Sequence, residues 1–310
     1  MPFTSFPFYL RPRTPFIYDR TIVEIIILCI VATCTFIIIL PGIRGKFRFF
    51  WLLRVLTSLV IGAVILAVNF TRDWEVGSVI TTTAYKSFSN VMVNVSIGVW
   101  VGLKGVNITL SGIPVQQINE TIDYNEIFHW QTERHFDKDY EEGRERGLPN
   151  PILYVAEKFT SVNPCQVLQQ YRIATYYTSA IMWFAFCTWV VSSILFSMLL
   201  IQYGIYMMFA TTLCIIMSVA TFASNRNGTC SINFGTHILQ LKYGASYWMS
   251  CGAGVLCFIL SLVLIILHVR KPSLTKRLFN DIDRSEDFSQ TSDTEEGLEE
   301  KRTIMLKQLA

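Results

Sequence analysis

Asp137, Asp139 and Glu141 stand at the alternate spacing that opens a calcium-binding loop. Such a loop turns on a glycine at its sixth position and closes with a bidentate glutamate at its twelfth. Here those positions hold Glu142 and Leu148, so the acidic residues read as the solvated face of a helix. The histidines are His129, His135, His237 and His268, and only His268 lies near a long apolar run. That leaves no pair to ligate a haem within a membrane. Six of the 8 cysteines, Cys29, Cys34, Cys187, Cys214, Cys251 and Cys257, fall inside apolar runs and read as small apolar fillers. No CxxC pair, Walker A loop, nucleophile elbow or HExxH occurs, which removes the common zinc, phosphate, acyl-transfer and metalloprotease chemistries. Gly252-Ala253-Gly254 lacks the third glycine of a dinucleotide loop. The reading expects no enzyme, no cofactor, no metal and no small-molecule substrate. What remains is the chemistry of modification and cross-linking. Asn-x-Ser/Thr occurs at Asn69, Asn94, Asn107, Asn119 and Asn227, and Cys165 and Cys230 lie outside the apolar runs.

The elements that must position these residues follow from composition. The chain has 310 residues, 52% hydrophobic and only 16% charged, with a mean hydropathy of +0.40. A soluble domain carries about 25% charged residues. The deficit is concentrated: residues 173–225 contain no Asp, Glu, Lys or Arg. No water-facing surface is built from such a run, and a net charge of +3 gives no support for nucleic-acid binding. A membrane helix needs about 20 apolar residues to cross a core about 30 Å thick. Five stretches qualify, at 21–41, 49–70, 178–201, 204–223 and 247–268, the long uncharged run dividing near Gln202-Tyr203-Gly204. Glu24 and Arg54 lie near helix ends and read as interfacial anchors, which argues against a transporter. Residues 1–20 lack the apolar core and cleavage site of a signal peptide.

Basic residues orient the spans. Arg44, Lys46 and Arg48 crowd the loop 42–48, and Arg270, Lys271, Lys276 and Arg277 follow the last span. With five spans these segments share a side and outvote Arg11, Arg13 and Arg20, so that side is cytoplasmic. The N-terminal segment 1–20, the long loop 71–177 and the loop 224–246 then face outward. The sequons agree, with Asn107 and Asn119 ranked first for glycosylation, then Asn94 and Asn227. Asn69, at the end of a span, is expected to be unmodified. Cys165 and Cys230 lie in two different outward loops, on the oxidising side. They tie the loops together as a disulfide, or one of them pairs with a partner protein. The tail 269–310 holds acidic residues interspersed with Ser and Thr and reads as disordered and cytoplasmic.

Within the long loop, Val91, Val93, Val95, Ile97, Val99, Val101 and Leu103 alternate with polar or small residues. That period of 2 predicts a strand. Lys104-Gly105 turns the chain, and Val106, Ile108 and Leu110 continue the alternation as a hairpin that puts Asn94 and Asn107 on its polar face. Further strands are expected at 79–83 and 115–118. Residues 125–146 read as a charged helix, 152–159 as a short second helix, and 165–177 as a helix running into the third span. Phe6, Pro7, Phe8 and Tyr9 cannot form a core alone; they either lie against the outward domain or anchor a partner.

Several of these segments together resemble one family. They include Leu40-Pro41-Gly42-Ile43-Arg44-Gly45-Lys46, Phe50-Trp51-Leu52-Leu53-Arg54-Val55 and Ala67-Val68-Asn69-Phe70. Gly105-Val106-Asn107-Ile108-Thr109-Leu110, Pro114-Val115-Gln116-Gln117 and Asn119-Glu120-Thr121-Ile122-Asp123-Tyr124-Asn125-Glu126 continue the likeness. So do Ala156-Glu157-Lys158-Phe159-Thr160, Pro164-Cys165, Gln170-Tyr171-Arg172 and the N-terminal Phe6-Pro7-Phe8-Tyr9. Over residues 6 to 270 the chain resembles the dual oxidase maturation factors. The resemblance implies five spans, a claudin-like outward sheet and no catalysis. Its members bind a dual oxidase, a haem- and flavin-containing NADPH oxidase, in the endoplasmic reticulum. They let it reach the plasma membrane and produce hydrogen peroxide, used in thyroid hormone synthesis or epithelial defence. Asn107, Asn119, Cys165 and Cys230 match the family, whereas some members carry a sequon where this chain has Thr81-Thr82-Thr83. The expected fold is therefore an α-helical membrane protein with five transmembrane helices and a small claudin-like β-sheet plus helical ectodomain. The expected partners are a dual oxidase, in a heteromeric membrane complex, and the lipid bilayer. The alternative from another class is a claudin-like adhesion or barrier protein acting without an oxidase.

Overall fold

A computed structural model describes residues 20–39, 48–86, 90–129, 133–160, 166–198, 200–224, 232–235 and 237–271. Two long helices open it, α1 (Arg20–Ile39) and α2 (Arg48–Phe70). Four strands follow, β1 (Glu75–Ala84), β2 (Met92–Val101), β3 (Gly105–Gln117) and β4 (Glu120–His129). Then come α3 (Glu133–Glu145), α4 (Asn150–Glu157), and the long α5 (Gln166–Ser197) and α6 (Ile201–Ser224). Three short strands, β5 (Ile232–Phe234), β6 (His237–Leu239) and β7 (Lys242–Tyr243), precede α7 (Ala245–Arg270).

Four stretches are long and apolar enough to cross a membrane: Leu52–Phe70, Tyr171–Ser197, Ile201–Ser224 and Ala245–Arg270. The apolar part of α1, Ile22–Ile38, is shorter. Helix α5 ends at Ser197 and α6 begins at Ile201, slightly ahead of the expected Gln202-Tyr203-Gly204. Their contact is threaded with small hydroxyls: Thr211 donates to Thr188 Oγ1 at 3.0 Å, Ser192 to the Gly204 carbonyl at 2.9 Å and Ser218 to the Thr178 carbonyl at 3.3 Å. In lipid such bonds join helices that the hydrophobic effect does not.

The main sheet has the order β4-β3-β2-β1-β7, and its recorded pairings are antiparallel. Val101 pairs with Val106 across the expected Lys104-Gly105 turn. One face, Val93, Val95, Ile97, Val99, Val101, Val106, Ile108, Leu110, Ile122 and Phe128, is fully buried. Phe136 of α3, Ile152 and Val155 of α4, and Phe159 belong to the same core. Among the described residues, helices thus cover the apolar face of the sheet, as period-2 patterning demands.

One expected element is corrected. Residues 125–129 are not helical: they finish β4, pairing with β3 from His129↔Gly105 to Glu120↔Gln117. The helix begins only at Glu133. Ile122, Tyr124 and Phe128 alternate into the core, and burying that row against β3 outweighs the helical spacing of Ile127 and Phe136.

Candidate functional site

The sheet stands on the helices through the segment that follows α2. Trp74 is fully buried, and its Nε1 donates to the Val68 carbonyl at 2.8 Å. Its ring meets Phe222 of α6 at 4.8 Å and Tyr247 of α7 at 6.5 Å between centroids. Ser246 at the start of α7 donates to the Asp73 carboxylate and lies 2.5 Å from Thr71 Oγ1. The Gly244 N–H donates to the Trp74 carbonyl at 2.8 Å. A side chain at 244 would strike the Asp73 carbonyl, so this junction closes around a glycine. On the α5 side, Ser179 donates to Asn69 Oδ1 at 2.9 Å, and Asn69 is buried. Sequence reading did not single out Trp74, because one tryptophan after a span carries no periodicity.

With β1 leaving α2, register fixes the two ends of the sheet. The β2–β3 turn lies beside the helices: a Cβ on Gly102 would meet Arg72 Cα at 2.7 Å, and Lys104 Nζ lies 3.6 Å from the centre of the Phe70 ring. The opposite end gathers the start of β2, the end of β3 and the β3–β4 turn. Asn94 and Asn119 are exposed there. Gln117 braces this end, donating to the Asn94 carbonyl at 2.8 Å and the Pro114 carbonyl at 2.7 Å. Around them Met92, Ile113, Val115 and Ile118 are exposed, at 59%, 43%, 44% and 49%. The turn residues Ile118 and Asn119 have φ of 56° and 57°, the left-handed pair that a two-residue hairpin turn requires.

Asn107 differs from the other two. It is on the same outer face, opposite Trp100, but nearer the helices and only 7% exposed. Asn227, Cys165, Cys230, Phe6, Pro7, Phe8 and Tyr9 lie outside the described residues.

Beneath the far rim, Tyr85 and Tyr124 share a 2.6 Å hydroxyl contact, and Lys86 donates to Glu120 at 2.7 Å. Burial, then the Tyr124 and Glu120 interactions, push the Tyr85 hydroxyl well above the usual tyrosine range. Asp139 of α3 accepts from the His129 backbone N–H at 3.2 Å, which is the use the structure makes of one of the aspartates spaced like a calcium loop. Among the described residues no His, Cys, Asp and Glu side chains cluster as a metal site. The arrangement is a braced sheet with an apolar rim at its far end and sequon asparagines on its outer face.

A model of the dual oxidase maturation factor family matches residues 8–282. Dual oxidase maturation factor 1 of Xenopus laevis is 57% identical over 292 residues, 94% of each chain. Its human counterpart is 46% identical over 278 residues, 89% of this chain and 81% of its own. Human dual oxidase maturation factor 2 is 42% identical over 275 residues, 88% of this chain and 86% of its own.

Proposed function

The chain belongs to the dual oxidase maturation factor family, and from that premise we propose that it is the noncatalytic membrane partner of a dual oxidase. Its role is that of a maturation factor and not of an enzyme. It binds the oxidase in the endoplasmic reticulum, travels with it to the plasma membrane and remains with it while hydrogen peroxide is made.

The observation that carries the partner-binding reading is the rim of Met92, Ile113, Val115 and Ile118, exposed at the end of the sheet away from the long helices. Isolated exposed apolar residues mean little, but a contiguous group marks an interaction site. Ile118 adds a second reason, since a β-branched residue at φ 56° is strained by about 1–2 kcal/mol. A residue kept there at that cost is a contact. Binding the folded oxidase and not its unfolded chain stabilises it by mass action, which is how a partner without catalytic groups promotes export.

In this reading the chain crosses the membrane five times, with the claudin-like sheet and helical ectodomain outside and the tail inside. Asn94, Asn107, Asn119 and Asn227 carry sugars. Cys165 and Cys230 join the two outward loops, and Phe6, Pro7, Phe8 and Tyr9 enter the oxidase. The deciding experiment is co-expression with a dual oxidase in cells lacking any such factor. The oxidase should gain sugars resistant to endoglycosidase H, appear at the surface and release peroxide, and the two chains should co-purify. Deleting residues 1–15 should cut co-purification several-fold while the chain alone still elutes as a single species. Normal oxidase delivery without this chain would refute the reading.

A further inference from the structure

The outer face of the sheet carries an aromatic surface that the function so far leaves unused. Gly98, in the middle of β2, has no side chain, and the Trp100 indole fills the space. A Cβ at 98 would lie 2.6 Å from Trp100 Cζ3, 2.7 Å from Cη2 and 2.6 Å from Thr109 Oγ1. The ring therefore runs along β2 from position 100 towards 98. Across the strand pair, Trp100 faces Asn107 and Gly98 faces Thr109. These are the acceptor and the hydroxyl residue of the Asn107-Ile108-Thr109 sequon. On the next strand Asn107 pairs with Ile127 and Thr109 with Asn125. Asn107 Oδ1 and Asn125 Oδ1 are both enclosed without a hydrogen-bond donor. Orphaned acceptors on one face call for an explanation.

We propose that Trp100 forms a built-in seat for the first N-acetylglucosamine attached to Asn107. The sugar lies with its C–H face against the indole, whose π surface is electron-rich. Directly opposite residues on neighbouring strands have their Cβ atoms about 5 Å apart, within reach of a sugar on Asn107 and the ring of Trp100. The seat lies on the strand pairing that holds the central hairpin, so an occupied Asn107 clamps β2 and β3 together. The inference rests on the proposed glycosylation of Asn107 and goes beyond it.

The test uses the full chain, purified in detergent from cells that make only high-mannose sugars. Glycopeptide mapping first establishes that Asn107 is occupied; an empty Asn107 overturns the proposal without touching the partner reading. Endoglycosidase H leaves a single N-acetylglucosamine on one sample, and peptide N-glycosidase strips the whole sugar from another, leaving an aspartate in place of Asn107. The one-sugar form should unfold at the temperature of the intact glycoprotein, and the stripped form about 2–4 °C lower. In Trp100→Leu the difference should shrink to the part that the new carboxylate costs, and in Trp100→Tyr it should persist in full. An equal difference in wild type and Trp100→Leu overturns the proposal. Should Trp100→Leu fail to fold, the wild-type chain labelled in its sugar decides: C–H protons of the Asn107-linked residue must show upfield ring-current shifts, and ordinary positions overturn the seat.

Discussion

Trp74 joins the sheet to the helices with a buried ring and one hydrogen bond, so its substitutions separate the two contributions. Trp74→Ala should cost about 3–5 kcal/mol by leaving a cavity between Phe222 and Tyr247. Trp74→Phe should cost about 1 kcal/mol, the worth of the lost indole hydrogen bond to the Val68 carbonyl. Thermal unfolding in detergent measures both. Tyr85 makes a pH-dependent prediction. Burial raises its hydroxyl pKa in the fold, while the unfolded chain's tyrosine ionises near pH 10. Above about pH 10 the folded state therefore holds a proton that the unfolded state has lost, and stability falls as pH rises. Below that pH the contribution is complete and flat. Tyr85→Phe should flatten the alkaline limb and leave the neutral region about 1 kcal/mol weaker, as unfolding midpoints against pH would show. Neither residue was legible in the sequence as important, because a single buried aromatic has no repeat to announce it. The sequons were legible, since three residues suffice to define them. Their unequal burial was not, since it depends on which strand lies opposite.

At the scale of elements, legibility followed how much of the pattern lies in one segment. The β2–β3 hairpin was readable because an uninterrupted row of Val and Ile alternates through it. β4 was not, because its core-facing row Ile122, Tyr124, Glu126 and Phe128 is broken by a carboxylate. Glu126 is tolerated there because Arg146, just beyond α3, reaches within 3.7 Å of it. That compensation comes from elsewhere in the fold. The same strand begins at a turn whose residues oppose its geometry. A type I′ turn favours Asn-Gly, and Ile118 holds the first left-handed position instead. Ile118→Gly should therefore stabilise the isolated chain by about 1 kcal/mol while reducing co-purification with the oxidase. A variant that gains both stability and partner binding would show that Ile118 is not a contact.

For the molecule as a whole, the first helix sets which surfaces can act together. α2, α5, α6 and α7 are each long enough to cross a bilayer, and four crossings would put the loop 42–48 and the tail on one side whatever α1 does. α1 decides where residues 1–19 lie. Its apolar part, Ile22–Ile38, would measure about 25 Å as a helix, slightly less than the core of a bilayer. Yet Ile26, Ile27, Leu28, Ile30, Val31, Ile37 and Ile38 are all exposed, distributed around the helix as lipid-facing residues are. A modest shortfall is met by local thinning or snorkelling at small cost. If α1 crosses, Phe6, Pro7, Phe8 and Tyr9 share a compartment with the sheet, and one partner can engage both. If it does not, they lie with the tail, and the two surfaces cannot serve the same outward domain. Phe3→Asn turns Phe3-Thr4-Ser5 into a sequon and distinguishes these arrangements. The five-span chain should gain one further sugar, seen as a mobility step that peptide N-glycosidase removes. An unchanged mobility would leave four spans and put the aromatic segment on the cytoplasmic side.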